Sequence, residues 1–307
     1  MAAEIRNVTS SRTSVCAVVV AFYPEQDLET RLGVILPQVE ALIVIDNTPI
    51  ASRTRRIHLP KQADKTTELI ENNENTGVGA ALNRGLEHAL SHDCKWLLTL
   101  DQDSFCHSDL VATLLRAGAI CDPPPMIMGS NYLDPRNGVT KVKQHGTPEF
   151  IDQTTVITSG TLINARFAHT IGAFRSDYFI DQLDHEFCLR ARANGGLVVI
   201  SRKIVMEHSV GEGGGAWLPI LGHLPNHSPL RKYYIARNSL VTVLRYWRKE
   251  PGWCLRRLLR LTLGLGLMGI LENQRARKVH AFMCGVVDGL SGHLGPCRRS
   301  SVLRSTQ

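Results

Sequence analysis

The chain has 307 residues, 43% of them hydrophobic and 21% charged, with a formal net charge of +7. That is room for one large α/β domain or two small ones around a sizeable core. Its eight cysteines are scattered, with no CxxC pair and no histidine at zinc-finger spacing, which excludes a zinc-finger framework and reads as reduced thiols in a cytosolic protein.

Residues 1–13 lack the apolar stretch of a secretion signal and are expected to be a flexible N-terminus. Val15 to Phe22 (VCAVVVAF) has no polar alternation and predicts a strand buried on both faces, broken by Tyr23-Pro24. Leu28 to Leu36 has helical apolar spacing, Ala41 to Ile45 predicts a second strand ending at Asp46-Asn47, and Leu69-Ile70 a short third. Val78 to Leu90 reads as a helix, with Leu82, Leu86 and Leu90 on one face, and residues 96–100 as a further buried strand. The alternation predicts a parallel sheet with helices on both faces. A helix near Leu110 to Ala119 stops at the prolines 123–125, and residues 126–165 predict short strands and loops. Ala165 to Ile171 suggests a short helix, Phe179 to Asn194 a longer one, and Leu197 to Ile200 and Lys203 to Glu207 strands.

Gly211 to Gly215 is the candidate for a mobile lid, and a main domain is expected over 14–228. From 229 to 295 the pattern is helical, basic and amphipathic, and 296–307 is expected to be a flexible tail. Charge divides at the same place. From Ser228 to Gln307, 15 Lys or Arg face 3 Asp or Glu, a net of +12, and the remainder has 20 against 25, a net of −5. Such a tail suits nucleic acid or an anionic membrane, and its leucines favour the membrane. LTLGLGLMGIL, 261–271, is too short to span a bilayer; flanked by arginines, it suits the interface of an anionic leaflet or a packed core helix.

Chemistry gathers where strands end. In WLLTLDQDS the apolar run stops at Asp101 and Asp103, two apart and so pointing the same way in extended chain. Open α/β sheets bind ligands at the carboxyl ends of their strands, where divalent ions take carboxylate and phosphate oxygens. The pair therefore predicts a metal-held diphosphate; a turn capped by Asp is the plainer alternative. Asp46 stands at the same rim, where a carboxylate can accept from a pyrimidine or ribose.

NTGVGAALNRG sets Asn75, Gly77 and Gly79 at the start of a predicted helix, with Asn83 along it, and lets the backbone approach a ligand closely. It is not a dinucleotide fingerprint, because GxGxxG needs glycine where Leu82 stands, so a dehydrogenase loses its support. FIDQLDHEFCLRARANG carries Asp181, Asp184 and Glu186 near a predicted helix start, with Arg190 and Arg192 following. The helix dipole accounts for one or two of these acids, and Asp184 is a candidate base. Ser159, Gly160 and Thr161 form a segment able to pass a sugar closely, and His208 suits a third ligand to an ion on Asp103.

The ordered set of Asp46, NTGVGAALNRG, LDQDS, SGTLIN, FIDQLDHEFCLRAR, EHSVG and RKYYIARNSL resembles family 2 glycosyltransferases over about residues 14–245. More narrowly it is similar to bacterial rhamnosyltransferases, including the kind that adds the second sugar of rhamnolipids. The resemblance implies an α/β GT-A fold, a Rossmann-like, mostly parallel sheet flanked by helices with a C-terminal helical extension. It implies inverting transfer of L-rhamnose from dTDP-L-rhamnose to a mono-rhamnolipid, or to a lipid-linked O-antigen or polysaccharide precursor. On matching residues, Asp46 would contact thymine or ribose and Asp101 the nucleotide; Asp103, with His208, would hold Mg²⁺ or Mn²⁺. Asn75, Gly77, Asn83, Ser159, Gly160 and Arg190 would line the donor. Asp184 aligns with the family's base, but Leu183 stands where the family has Glu, which keeps Asp181 as the alternative. The expected setting is the cytoplasmic face of the inner membrane, with an amphiphilic acceptor and no nucleic acid. Two other classes compete: a nucleotidyltransferase, which would want a basic glycine-rich loop absent from the N-terminal region, and a non-catalytic carbohydrate or membrane binder.

Overall fold

The computed structural model describes residues 14–208, 217–218, 222–223 and 227–303; the expected lid at 211–215 lies outside them, as do 1–13 and 304–307. From the N-terminal side run β1 (Val15–Ala21), α1 (Leu28–Ile35), β2 (Ala41–Asp46), β3 (Thr66–Glu71), α2 (Val78–Ser91) and β4 (Trp96–Asp101). Then follow β5 (Phe105–Cys106), α3 (Leu110–Leu115), α4 (Ala117–Ile120), β6 (Ile127–Asp134), β7 (Val139–Thr140), β8 (Phe150–Asp152), β9 (Thr161–Asn164) and α5 (Ala165–Thr170). α6 (Leu183–Ala193) leads into β10 (Val198–Glu207), and β11 (Trp217–Leu218) pairs with β12 (Gly222–His223) as a separate ladder. Four helices close the described chain: α7 (Pro229–Tyr246), α8 (Pro251–Leu271), α9 (Arg275–Leu290) and α10 (Ser300–Leu303).

The continuous apolar runs become central strands because both faces are covered. In β1, Val15, Ala17 and Val19 pack into one core with Leu28, Leu32 and Ile35 of α1, while Cys16 and Val18 enter a second core with Leu82 and Leu86 of α2. α2 approaches so closely that a Cβ on Gly85 would lie 2.4 Å from Val18 Cγ1.

The sheet order is β3-β2-β1-β4-β9-β6-β10-β5. The first four strands are parallel, as the alternation predicts. The sheet is nevertheless mixed, because β9 runs against both β4 and β6, and β10 then lies parallel to β6. The result is a mixed α/β fold, with the carboxyl ends of β1, β2 and β4 along one rim.

Three sequence expectations change. The helix expected from Leu110 divides into α3 and α4 at Arg116. Residues 198–207 form one strand with register shifts between Ile200 and Met206. The helix expected from Phe179 starts only at Leu183, because Phe179, Asp181 and Gln182 have φ of 65°, 63° and 67°. Non-glycine residues adopt this region at a cost and stay there when their surroundings hold them. Here the Asn238 amide donates to the carbonyls of Tyr178, Ile180 and Asp181 at 3.0, 2.8 and 2.9 Å, and Val78 N donates to Phe179 O at 2.7 Å.

The basic helices are built into the molecule. Arg237, fully buried, donates to the carbonyls of Tyr178 and Gly295 and lies 4.9 Å from the Tyr234 ring centroid. Cys297 and Val302 are buried with Tyr233 and Tyr234, so the segment expected to be a flexible tail packs on α7 and α9 as far as Leu303. No described helix is long and apolar enough to cross a membrane.

Candidate active site

β4 ends in a turn, with Ser104 N donating to Asp101 O at 3.3 Å, and not in the extended chain expected for Asp101-Gln102-Asp103. Gln102 turns back to clamp Phe22, accepting from its N–H at 2.7 Å and donating to its carbonyl at 3.0 Å. Asp101 and Asp103 face His208, which follows β10. Nε2 of His208 lies 3.9 Å from Asp101 Oδ2, and Nδ1 lies 3.8 Å from Asp103 Oδ1. His208 is fixed from behind: its Nδ1 is 2.9 Å from Ser104 Oγ, which is 2.6 Å from Ser159 Oγ, and Ser159 in turn accepts from the Asp101 N–H at 3.1 Å.

The donor set fits a divalent ion. One ligand atom from each of Asp101, Asp103 and His208 lies within 4.8 Å of the others. An ion bonded at about 2.0–2.6 Å spans such separations. The imidazole is 9% exposed and the carboxylates 43% and 54%, so the base of the site is rigid while the carboxylates face open space. Crowding by the cavity walls pushes the Asp101 carboxyl up to about 6 even though 43% of its side chain is exposed; His208 opposes this, and the nearby charges of Asp103 and Asp184 add to it.

These groups open into a cavity of about 870 Å³ that also reaches Asp181, Asp184, His185, Arg231, Arg257 and Arg260. Its opposite wall is apolar, formed by Leu261, Leu267 and Met268 of α8 with Phe282 of α9. The three acids of the 181–186 block separate in role. Asp181 is ion-paired with Arg231 at 2.9 Å. Glu186 is fully buried, paired with Arg190 at 2.9 Å and accepting from Tyr246 Oη at 2.8 Å. Asp184, in the first turn of α6, lines the cavity and, among the described residues, is in no ion pair.

Several expected donor contacts lie elsewhere. The Arg190 guanidinium is spent on Glu186 and on the carbonyls of Ile171 and Ala173, so it holds α6 and reaches no phosphate. Asn83 clamps the backbone of Phe174 in both directions, at 2.9 and 2.7 Å. Gly77 does allow a close backbone approach, but to Phe179: a Cβ there would meet Phe179 O at 2.7 Å. Asn75 caps that turn by accepting from Gly77 N. Gly160, at φ 69°, faces Met206 and Ser130, and Ser159 supports the Asp101–Asp103–His208 set from behind. Asp46 stands at the rim, but its carboxylate is paired with Arg53 at 2.9 Å and accepts from Thr48 N. Arg231, Arg257 and Arg260 were not singled out as site residues from sequence; the signals were the RKYYIARNSL motif, which Arg231 opens, and the arginines flanking the leucine run at 261–271.

Comparison with known proteins agrees with the fold. A protein from Shigella flexneri named dTDP-rhamnosyl transferase RfbF is 28% identical over 245 residues, covering 75% of this chain and 79% of that one. A solved structure of GalNAc-T7 with UDP, GalNAc and Mn²⁺ superposes with a TM-score of 0.53 at 12% identity; it covers 92% of this chain, which spans 58% of that structure's length, and shows the shared fold. The family model for glycosyl transferase family 2 matches residues 17–183, more than half of the chain. That match takes in β1 to the first residue of α6 and so includes Asp101 and Asp103: the chain belongs to glycosyltransferase family 2.

Proposed function

We propose that the protein transfers L-rhamnose from dTDP-L-rhamnose, with inversion, to an amphiphilic acceptor at a membrane surface. The observation that carries this reading is that the Asp101–Asp103–His208 set and Asp184, which among the described residues is in no ion pair, open into one cavity with an apolar wall. The donor assignment is supported by the similarity to RfbF. Two acceptors fit the apolar wall, a mono-rhamnolipid and a lipid-linked polysaccharide precursor.

Mg²⁺ or Mn²⁺ held by Asp101, Asp103 and His208 would neutralise charge on the donor diphosphate. The chain's own groups do the rest. Arg231, beside Asp181 and within reach of Asp101, supplies a fixed cation where the leaving diphosphate gains charge. Asp184 takes the proton from the acceptor hydroxyl while that oxygen bonds to the anomeric carbon; the bond to the diphosphate breaks on the opposite face, and its electron pair leaves with dTDP.

Peripheral membrane docking belongs to the same reading. α8 presents Leu255, Leu259, Leu263 and Ile270 at 62%, 56%, 46% and 72% exposure, with Arg256, Arg275 and Arg277 exposed nearby. Leucines between cations suit an anionic leaflet. Leu263 also lines the cavity, so the exposed stripe is continuous with its wall. The test is incubation of purified protein with dTDP-L-rhamnose, Mg²⁺ or Mn²⁺ and either acceptor, beside an Asp103→Ala control. A metal-dependent gain of one deoxyhexose on either acceptor is the expected result; failure on both would refute the reading.

A further inference from the structure

The cavity carries a second charged region, on its helical side. Arg257 of α8 donates through Nε and a terminal nitrogen to one acceptor, the Ser239 hydroxyl of α7, at 2.9 and 2.8 Å. Among the described residues it has no carboxylate at ion-pair distance. Burial pushes its guanidinium down to about 10, with Asp184 as the strongest opposing charge. Arg260, one turn further along α8, lines the same cavity, and Lys141 feels both Arg260 and Asp184.

Among the described residues, a partly buried guanidinium that faces the cavity with a hydroxyl partner and cationic neighbours is an incomplete ion pair. Its position identifies the missing partner. The arginine acting on Asp101 is Arg231, whereas Arg257 and Lys141 act on Asp184 and, with Arg260, on its neighbour His185. Leu261 and Leu267, on the same helix, continue from them as an apolar wall. Cations beside the base and next to an apolar wall suit an acceptor with an acid at the head of its hydrocarbon chain.

We infer that Arg257, held by Ser239 and assisted by Arg260, binds an acidic group of the acceptor, a carboxylate or a phosphate, and so selects acidic amphiphiles over neutral ones. This rests on the amphiphilic acceptor proposed above and adds its charge. A charge-assisted hydrogen bond of this kind corresponds to about a tenfold preference or more.

The test is calorimetric binding of decanoate, decyl phosphate and neutral decyl glucoside, each below its micelle concentration, to full-length protein with dTDP and Mn²⁺ present. The wild type is expected to bind at least one acidic amphiphile about tenfold more tightly than the glucoside. Arg257→Gln should erase that preference without changing dTDP affinity, and Ser239→Ala, which leaves the charge in place but unheld, should weaken it. Preference for phosphate would indicate a lipid phosphate as the natural acceptor, and preference for carboxylate a fatty acid derivative. Equal binding of all three by the wild type, no binding, or a preference that survives Arg257→Gln would overturn the inference, as would loss of dTDP affinity in that variant. Because binding needs no turnover, a protein that discriminates these probes but transfers no rhamnose would keep the anion site and lose only the functional reading.

Discussion

Asp181 and Asp184 are the same residue type three positions apart, yet their surroundings give them different chemistry. Asp181 is committed to Arg231, and Asp184 lines the cavity and, among the described residues, is in no ion pair. Asp184→Asn should therefore lower transfer by about 10²–10⁴-fold, the range for loss of a positioned base, with dTDP affinity unchanged by calorimetry. Asp181→Asn should weaken dTDP binding as well, because it releases Arg231. Asp101 and the His208 support chain give two further expectations. With the Asp101 carboxyl at about 6, its protonated form competes with the ion, so Mn²⁺ affinity should fall as pH drops below about 6 and level off above it. The sign follows because only the ionised carboxylate is a ligand. Ser104→Ala removes the partner of His208 Nδ1 and should cost about 10–100-fold in Mn²⁺ affinity, the usual effect of losing such a support. Titration calorimetry across pH measures both.

At the scale of elements, what was legible in the sequence is what local pattern determines. The apolar runs of β1, β2 and β4 and the helix α2 follow from periodicity, and Asp101 and Asp103 from a run that stops abruptly. The start of α6 was hidden because it depends on Asn238, 57 residues from Asp181, holding a left-handed segment that local pattern reads as helix. Arg190 was assigned to the donor although Glu186 stands four residues before it on the same helix, the spacing at which opposite charges pair. The cavity wall from α8 was invisible because only packing brings residues 257–268 over the end of β4. That packing is tight. A Cβ on Gly285 of α9 would lie 2.3 Å from Tyr233 O of α7. Gly285→Ala should therefore cost about 1–3 kcal/mol of stability, read by chemical denaturation.

For the whole molecule, the strand-end half supplies the acids and the helical half supplies cations, leucines and the roof. The charge asymmetry seen in the sequence is thus an asymmetry across one cavity. Leu259 and Ile270 are exposed and lie outside the cavity wall, so Leu259→Glu with Ile270→Glu should release the protein from phosphatidylglycerol vesicles in co-sedimentation while dTDP affinity stays the same. Persistence on the vesicles would remove α8 as the docking surface.

The central claim is that one cavity holds the donor, the base and the acceptor for direct displacement. It is tested most directly by the anomeric configuration of the product, read by nuclear magnetic resonance after dTDP-L-rhamnose is incubated with the protein, Mn²⁺ and an amphiphilic acceptor. Direct displacement assisted by Asp184 predicts an inverted rhamnosyl linkage formed in step with dTDP release. A retained configuration, or dTDP released with free rhamnose and no glycosylated amphiphile, would contradict it.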